Sequence, residues 1–199
     1  MRLVYFDFPG RGEAIRDALR LGAVSFEDER IGHEEFRARR AAGALPFDVL
    51  PVLVLDDGTV LSQSNAILRF AAARAGLVPA DPIEALRVDE LLDAAEDYGG
   101  RLSVSIRIQD EAVRAALRAE LAQRWLPQWF AILERSLAAS GRGWLVGGAL
   151  TVADLKVVHA LDKLVSGTLT GIPTDLLAAH PALEAWRARV HAARRAARG

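Results

Sequence analysis

The stretch that decides the fold is residues 50–67, LPVLVLDDGTVLSQSNAI. Its first six residues form a nearly continuous apolar run, which is typical of a buried strand. Asp57-Gly58 is a strong two-residue hairpin signal, after which the chain returns as a second strand. Ser64 then precedes apolar residues at helical spacing, and Gly76 supplies the end of that helix. The stretch therefore predicts a strand, a tight turn, a second strand and a helix.

The residues before this stretch alternate between strand and helix periodicity. Residues 2–7 predict a strand, and residues 12–21 predict a helix that stops at Gly22. Residues 26–31 predict a weaker strand, because its middle is wholly charged, and residues 34–42 predict a further helix. The complete order is βαβ, a helix, then ββα. This order resembles the thioredoxin-like arrangement, in which helices cover a small mixed sheet of four strands.

The sequence changes character after this α/β region, which we place at residues 1–76. Residues 79–82, PADP, form a short link that is rich in helix breakers. From residue 82 onward most long segments have helical period. We therefore expect an all-α domain at residues 82–199, following the α/β thioredoxin-like domain.

Composition excludes several classes of function. The 199 residues include 25 Lys and Arg against 26 Asp and Glu, so a net charge of -1 offers no basic field for nucleic acid or an anionic membrane. No apolar run approaches the roughly 18 residues of a membrane span, and the N-terminus reads as a strand rather than a signal peptide, so the cytosol is the expected compartment. Cysteine is absent, so any thiol chemistry must use a thiol from another molecule. The four histidines have no ligand spacing, and no metal is expected.

Pro51 and Ser64 are candidate binding residues at neighbouring ends of one predicted sheet. Proline removes a ladder hydrogen bond, so Pro51 leaves an edge that a ligand can use. A cis peptide before Pro51 would turn the Leu50 backbone outward, whereas base rates for X-Pro bonds favour a trans proline at a strand start. Ser64 is a natural N-cap, and its helix end either holds a carboxylate or is simply capped. A short anionic peptide could span both positions.

Tyr5 in the first predicted strand and Arg11 in the turn that follows it are further candidates, close to the start of the first helix. A strand tyrosine is usually a core aromatic, and the alternative is a hydroxyl that donates to a ligand. Arg11 is either a solvated first-turn residue or a functional cation, because a positive charge at a helix N-terminus opposes the dipole.

Four segments resemble the cytosolic glutathione transferases. Residues 3–16, LVYFDFPGRGEAIR, are similar to the opening of the sigma-like group, which has a catalytic tyrosine near the N-terminus. Residues 45–53, LPFDVLPVL, and residues 61–69, LSQSNAILR, resemble the segments that bind glutathione. Residues 144–154, WLVGGALTVAD, resemble the capping motif of the helical domain. The four segments occur in the family's order and cover essentially the whole chain.

The resemblance implies an enzyme that activates the glutathione thiol and conjugates it to a small hydrophobic electrophile, to whose site the helical domain contributes. It implies that the tyrosine hydroxyl donates to the sulfur and that an arginine lies near the sulfur. It also implies that the backbone beside a cis proline pairs with the cysteinyl unit, and that a glutamine and a serine hold the γ-glutamyl end. In this sequence those positions are Tyr5, Arg11, Leu50, Pro51, Gln63 and Ser64.

Asp97 resembles an acidic residue that reaches the γ-glutamyl amine of the partner subunit's glutathione, so the resemblance also implies a homodimer. Two departures from the family pattern stand beside this match. The tryptophan and lysine that contact the glycine end fall nearest Phe36 and Arg40, and neither residue type is kept. Residues 98–104, YGGRLSV, lack the bulky aromatic lining of the prostaglandin D synthase branch, which argues against prostaglandin isomerisation.

Two alternatives to conjugation remain at this point. Folds of this family also serve as non-catalytic binding or structural proteins, and the same site supports glutathione-dependent isomerases and peroxidases. A hydroxyl at both Tyr5 and Ser64 favours a working site. Thr151 and Asp154 have the spacing of a capping box, which we interpret as folding chemistry worth about 1 kcal/mol.

Overall fold

The computed structural model describes residues 1–196, so the last three residues of the predicted range 82–199 lie outside the described residues. Two compact units divide the chain, Met1–Val78 and Pro79–Arg195. The first unit is α/β and the second is all-α. The predicted fold class is therefore confirmed.

The first unit is built on one sheet with the strand order β2-β1-β3-β4. The pair of β1 and β2 is parallel, and the other two pairs are antiparallel. This mixed sheet and its helices form a thioredoxin-like domain. Its elements are β1 (Arg2–Phe6), α1 (Gly10–Leu21), β2 (Glu27–Ile31), α2 (His33–Ala41), β3 (Val52–Val54), β4 (Val60–Ser62) and α3 (Ser64–Ala75).

Several element boundaries differ from those predicted. The first strand ends and the second strand begins one residue inside the predicted range. The third strand is shorter than residues 50–55, because its ladder to β1 begins at Val52 and its last residues form the hairpin turn. The first helix begins at Gly10, two residues earlier than expected, because the Pro9 carbonyl already accepts the Glu13 N–H at 3.1 Å. The second helix begins and ends one residue earlier than residues 34–42.

The charged middle of β2 is explained by a buried arginine on α1. Arg16 has no exposed surface, and its Nε lies 2.8 Å from a carboxylate oxygen of Asp28. Burial by itself would raise the pKa of Asp28, but hydrogen bonds from Arg16 and Arg30 lower it below its ordinary value. The ion pair ties α1 to β2, so a strand of charged residues is compatible with a packed sheet.

The second unit consists of helices, as predicted. Asp81 caps the first of them by accepting the N–H groups of Ile83 and Glu84, at 2.9 and 2.8 Å. Within residues 1–196 we find no helix with the length and apolar character needed to cross a bilayer. The helices are α4 (Pro82–Arg107), α5 (Glu111–Glu120), α6 (Leu126–Ser140), α7 (Val152–Val165) and α8 (Pro181–Ala196), with a π-helical turn at Leu121–Trp125 between α5 and α6.

The predicted capping box at the start of α7 is confirmed, and it is more than a cap. Asp154 is fully buried, and its carboxylate accepts the N–H and the hydroxyl of Thr151 at 2.9 and 3.0 Å. The same carboxylate accepts the Leu145 N–H at 3.0 Å and the Trp186 indole N–H at 2.7 Å. Burial raises the pKa of Asp154, and these hydrogen bonds oppose that rise. One carboxylate therefore joins the loop before α7, the start of α7 and the middle of α8.

Candidate functional site

The sheet register brings three of the predicted site residues to one end of the sheet. The ladder pairs nearest that end join Val4 to Val52, and Val52 to Ser62. Neighbouring strands lie about 4.8 Å apart, so β1 and β4 are about 10 Å apart across β3. The next residue toward this end is Tyr5 on β1, Pro51 just before β3 and Gln63 just after β4.

Tyr5 is held against the start of α1. Only 6% of its surface is exposed, and its hydroxyl oxygen accepts the backbone N–H of Arg11 at 3.0 Å. The Arg16 guanidinium carbon lies 5.7 Å from the centre of the Tyr5 ring. The Arg11 side chain is exposed at the second residue of α1. A tyrosine hydroxyl can both accept and donate a hydrogen bond.

Pro51 follows a cis peptide bond from Leu50. The trans proline that base rates favour is therefore wrong, and the cis form implied by the resemblance is present. Both residues are buried, and both precede Val52, where the ladder to β1 begins. The ladder consequently leaves the backbone of Leu50 outside the sheet.

The start of α3 differs from the sequence prediction. Ser64 is the first residue of the helix, and Gln63 takes the N-cap position with no side-chain cap, so the predicted N-cap role of Ser64 is wrong. The chain must turn from β4 into α3 within one residue, and this turn places Gln63 at φ 75. That region is uncommon for a residue with a Cβ and is characteristic of binding sites. The N–H groups of the first turn of a helix have no intrahelical acceptor, and anions are typical ligands of such a helix end.

Comparisons with known proteins identify the family of the chain. The sequence model of the family described as "Glutathione S-transferase, C-terminal domain" matches residues 97–197. Glutathione S-transferase 2 of Caenorhabditis elegans is 34% identical over 169 residues, which are 83% of this chain and 88% of that protein. The chain belongs to the glutathione S-transferase family.

Two solved structures resemble this glutathione S-transferase over almost its whole length. Prostaglandin synthase D of Nilaparvata lugens superposes with a TM-score of 0.84 at 29% identity, covering 95% of this chain and 90% of that one. A glutathione S-transferase of the hookworm Necator americanus, described as monomeric, superposes with a TM-score of 0.82 at 29% identity, covering 96% and 91%.

Phe36 and Arg40, nearest the family's glycine-end contacts, both lie on α2 of this transferase. Phe36 is half-buried and packs edge-on against Phe6, with 5.4 Å between the ring centres. Arg40 is exposed, and its Nε lies 4.0 Å from the Asp48 carboxylate. The arginine supplies a cation near the place where the family has a lysine, whereas Phe36 has no donor to replace the indole.

Asp97 and the segment 98–104 lie on α4, in the second unit of the transferase. The Asp97 side chain is exposed. Tyr98 stacks on Trp129 with ring centres 4.7 Å apart, and burial raises the pKa of Tyr98 to about 12, so its hydroxyl stays neutral. A Cβ at Gly99 or Gly100 would meet no atom within 4 Å. No group of three or more metal-ligating side chains occurs in the part of the chain that the structure describes.

Sequence reasoning missed one pair of residues at this site. Gly10 and Gly12 line the face of α1 that touches Tyr5. Glycine is about 1 kcal/mol less favourable than alanine inside a helix, so Gly12 in the first turn is the signal that could have revealed the contact.

Proposed function

We propose that the chain is a glutathione transferase that holds glutathione along the β1, β3 and β4 end of the sheet and conjugates it to a small hydrophobic electrophile. The observation that carries this proposal is the position of Tyr5, Pro51 and Gln63 on three adjacent strands. The α/β domain of residues 1–76 is then the glutathione-binding domain, and residues 82–199 form the helical domain.

The dimensions of the sheet end suit a tripeptide. Three extended residues span about 10 Å, which matches the separation of β1 and β4. The cysteinyl unit pairs with the Leu50 backbone beside Pro51, its sulfur lies at Tyr5, and the γ-glutamyl end lies at Gln63 and Ser64. Arg40 is the candidate cation for the glycine carboxylate, with Phe36 as apolar packing beside it.

Thiol activation follows from the groups around Tyr5. A thiol with a pKa of about 8.5 is only about 3% thiolate at pH 7, and lowering its pKa by two units takes about 2.7 kcal/mol and gives roughly three-quarters thiolate. The Tyr5 hydroxyl donates to the sulfur, and a hydrogen bond to the charged form favours that form. The Arg11 side chain adds a positive charge near the sulfur. The thiol proton leaves to solvent, the thiolate forms a bond to the electrophilic carbon, and in an aryl halide the halide leaves with the electrons of the broken carbon–halogen bond.

Ser64 provides the first test. Its hydroxyl and the uncapped N–H groups of α3 hold the γ-glutamyl carboxylate. We expect Ser64→Ala to weaken glutathione binding about tenfold, because one hydrogen bond to a charge is lost, while the thermal unfolding temperature stays unchanged. Isothermal titration calorimetry measures both proteins, with Ser136→Ala as the control on the surface of α6. Equal affinities for Ser64→Ala and wild type would remove Ser64 from the site, and a wild type that binds no glutathione would favour a non-catalytic member of the family.

We further propose a homodimer in which Asp97 reaches the γ-glutamyl amine of the partner subunit's glutathione. Two observations support it: Asp97 is exposed on α4, and Phe47 is 78% exposed in the loop before β3. Aromatic side chains are enriched in the buried centres of protein interfaces, so the Phe47 ring is a candidate contact between subunits. A two-fold dimer would cover the Phe47 ring on both subunits.

Sedimentation at micromolar concentration tests the dimer. We expect about twice the 21.5 kDa chain mass for the wild type, and a shift toward the single-chain mass for Phe47→Ser. Leu61→Ser is the control, since Leu61 is also exposed but lies on β4. A wild-type monomer, as described for the Necator americanus relative, would contradict the shared site.

A glutathione-dependent isomerase is the second candidate, favoured by the likeness to the Nilaparvata lugens prostaglandin synthase. Residues 98–104, YGGRLSV, lack the bulky aromatic lining of the prostaglandin D synthase branch, which favours conjugation instead. Aryl halide conjugation and prostaglandin isomerisation, assayed side by side on the same purified protein, separate the two candidates.

A further inference from the structure

The Tyr5 ring touches the backbone of α1 so closely that no side chain fits between them. A Cβ at Gly12 would lie 2.7 Å from Cδ1 and 2.9 Å from Cγ of Tyr5. A Cβ at Gly10 would lie 2.5 Å from the Tyr5 hydroxyl oxygen and 2.9 Å from a ring carbon of Phe8. Both glycines of the Gly10-Arg11-Gly12 segment therefore face the tyrosine.

The two glycines are required for different reasons. Gly10 has φ 43, a backbone conformation that favours glycine by itself. Gly12 has no positive φ and lies inside the helix, where alanine would be the better residue. The three atoms nearest to an added Cβ at position 12 all belong to Tyr5, and two of them lie closer than 3.0 Å.

The close approach lets a helix amide reach the hydroxyl. The Arg11 N–H, which donates to the Tyr5 hydroxyl oxygen at 3.0 Å, belongs to the first turn of α1, whose N–H groups have no intrahelical acceptor. This end of the helix carries partial positive charge. A hydroxyl that accepts such a bond is polarised and becomes a stronger donor of its own hydrogen.

We infer that Gly12 is a positioning residue for the thiol activation, and that it acts by admitting the Tyr5 ring to the place where the Arg11 N–H fixes and polarises the hydroxyl. This inference rests on the proposed function, in which Tyr5 donates to the glutathione sulfur. Under this inference the bare backbone of Gly12 has a functional role, and Tyr5 acts together with the first turn of α1.

The test is the pKa of bound glutathione thiol in Gly12→Ala, followed by thiolate absorbance against pH. We expect a rise of about one pKa unit, which corresponds to a tenfold lower ratio of thiolate to thiol at neutral pH. Conjugation should fall about as much at pH 7 and recover at high pH, while the glutathione Kd changes little. Gly32→Ala is the matched control, because Gly32 also has a negative φ and a Cβ there meets no atom within 4 Å.

The double variant Gly12→Ala/Tyr5→Phe decides whether Gly12 acts through Tyr5. If it does, adding Gly12→Ala to Tyr5→Phe shifts the thiol pKa no further. Shifts that add, or an unchanged pKa in Gly12→Ala when Tyr5→Phe does raise it, overturn the inference. An unchanged pKa in Tyr5→Phe itself instead contradicts the proposed function, so the two failures are distinguishable.

A backbone change tests the same contact without an added atom, and it decides the matter if Gly12→Ala does not fold. Replacing the amide of Arg11 by an ester, with the arginine side chain kept, removes the N–H that donates to Tyr5. We expect the thiol pKa to rise in this protein. An ester at Glu13, whose N–H donates to the Pro9 carbonyl, is the control and should leave the thiol pKa in place. Equal values for the two esters would overturn the role of the Arg11 N–H.

Discussion

Asp154→Ala is expected to lower the free energy of unfolding by about 3–5 kcal/mol, because several buried donors lose their acceptor at once. The carboxylate accepts hydrogen bonds from Leu145, Thr151 and Trp186, and all of these donors would lose their acceptor inside the core. Each buried unsatisfied donor costs about 1–3 kcal/mol. Chemical denaturation followed by circular dichroism measures the loss.

Asp81→Ala is the matched control for this prediction. Asp81 also caps a helix, but it is exposed, so its replacement should cost only about 1 kcal/mol.

The pH dependence of the free energy of unfolding gives a second check on the role of Asp154. Because burial raises the pKa of Asp154, its favourable contribution is present at low pH and is lost as pH rises through the raised value. The stability gap between wild type and Asp154→Ala should therefore narrow with rising pH, and a gap that widens would contradict this account of the buried carboxylate.

Tyr5→Phe is expected to reduce conjugation of a generic aryl halide at neutral pH by about tenfold, with partial recovery at higher pH. The substitution removes one hydrogen bond to a charged sulfur, worth roughly 1.5–3 kcal/mol, and so raises the thiol pKa by about one to two units. Little volume changes, so folding and glutathione affinity should largely survive. Initial rates against pH separate a change in ionisation from a loss of binding.

Tyr98→Phe is the natural control for Tyr5→Phe. These are the two tyrosines of the chain, and the Tyr98 ring stacks on Trp129 in the second unit. Removing the Tyr98 hydroxyl should leave the pH profile of conjugation the same as that of the wild type. If Tyr5→Phe and Tyr98→Phe have the same profile as the wild type, Tyr5 is a core aromatic and thiol activation comes from Arg11 or the α3 N-terminus.

The parts of the fold that the sequence predicted are those encoded locally. The hairpin at Asp57-Gly58 and the alternation of strand and helix periods specify the order of elements in the first unit. The capping box needs only Thr151 and Asp154, which are three residues apart, so the sequence predicted this contact. The placement of Pro51 and Ser64 at neighbouring ends of the sheet follows from the hairpin, because antiparallel neighbours bring their ends together.

The parts that the sequence did not predict depend on contacts between distant residues or on backbone geometry. Trp186 reaches Asp154 from 32 residues away, so no local pattern shows that the capping carboxylate is also a core acceptor. Arg16 looks like a surface helix residue until β2 supplies Asp28. Ser64 has the residue type of an N-cap, but the turn out of β4 decided the cap position.

The most direct test of the central claim is the ionisation of glutathione bound to the wild-type protein. Thiolate absorbance, titrated from pH 5 to pH 9 with saturating glutathione, gives the pKa of the bound thiol. A thiolate held by Tyr5 should titrate about two units below the free value of about 8.5, with most of the bound thiol ionised at pH 7. A bound thiol that titrates at the free value would contradict the account.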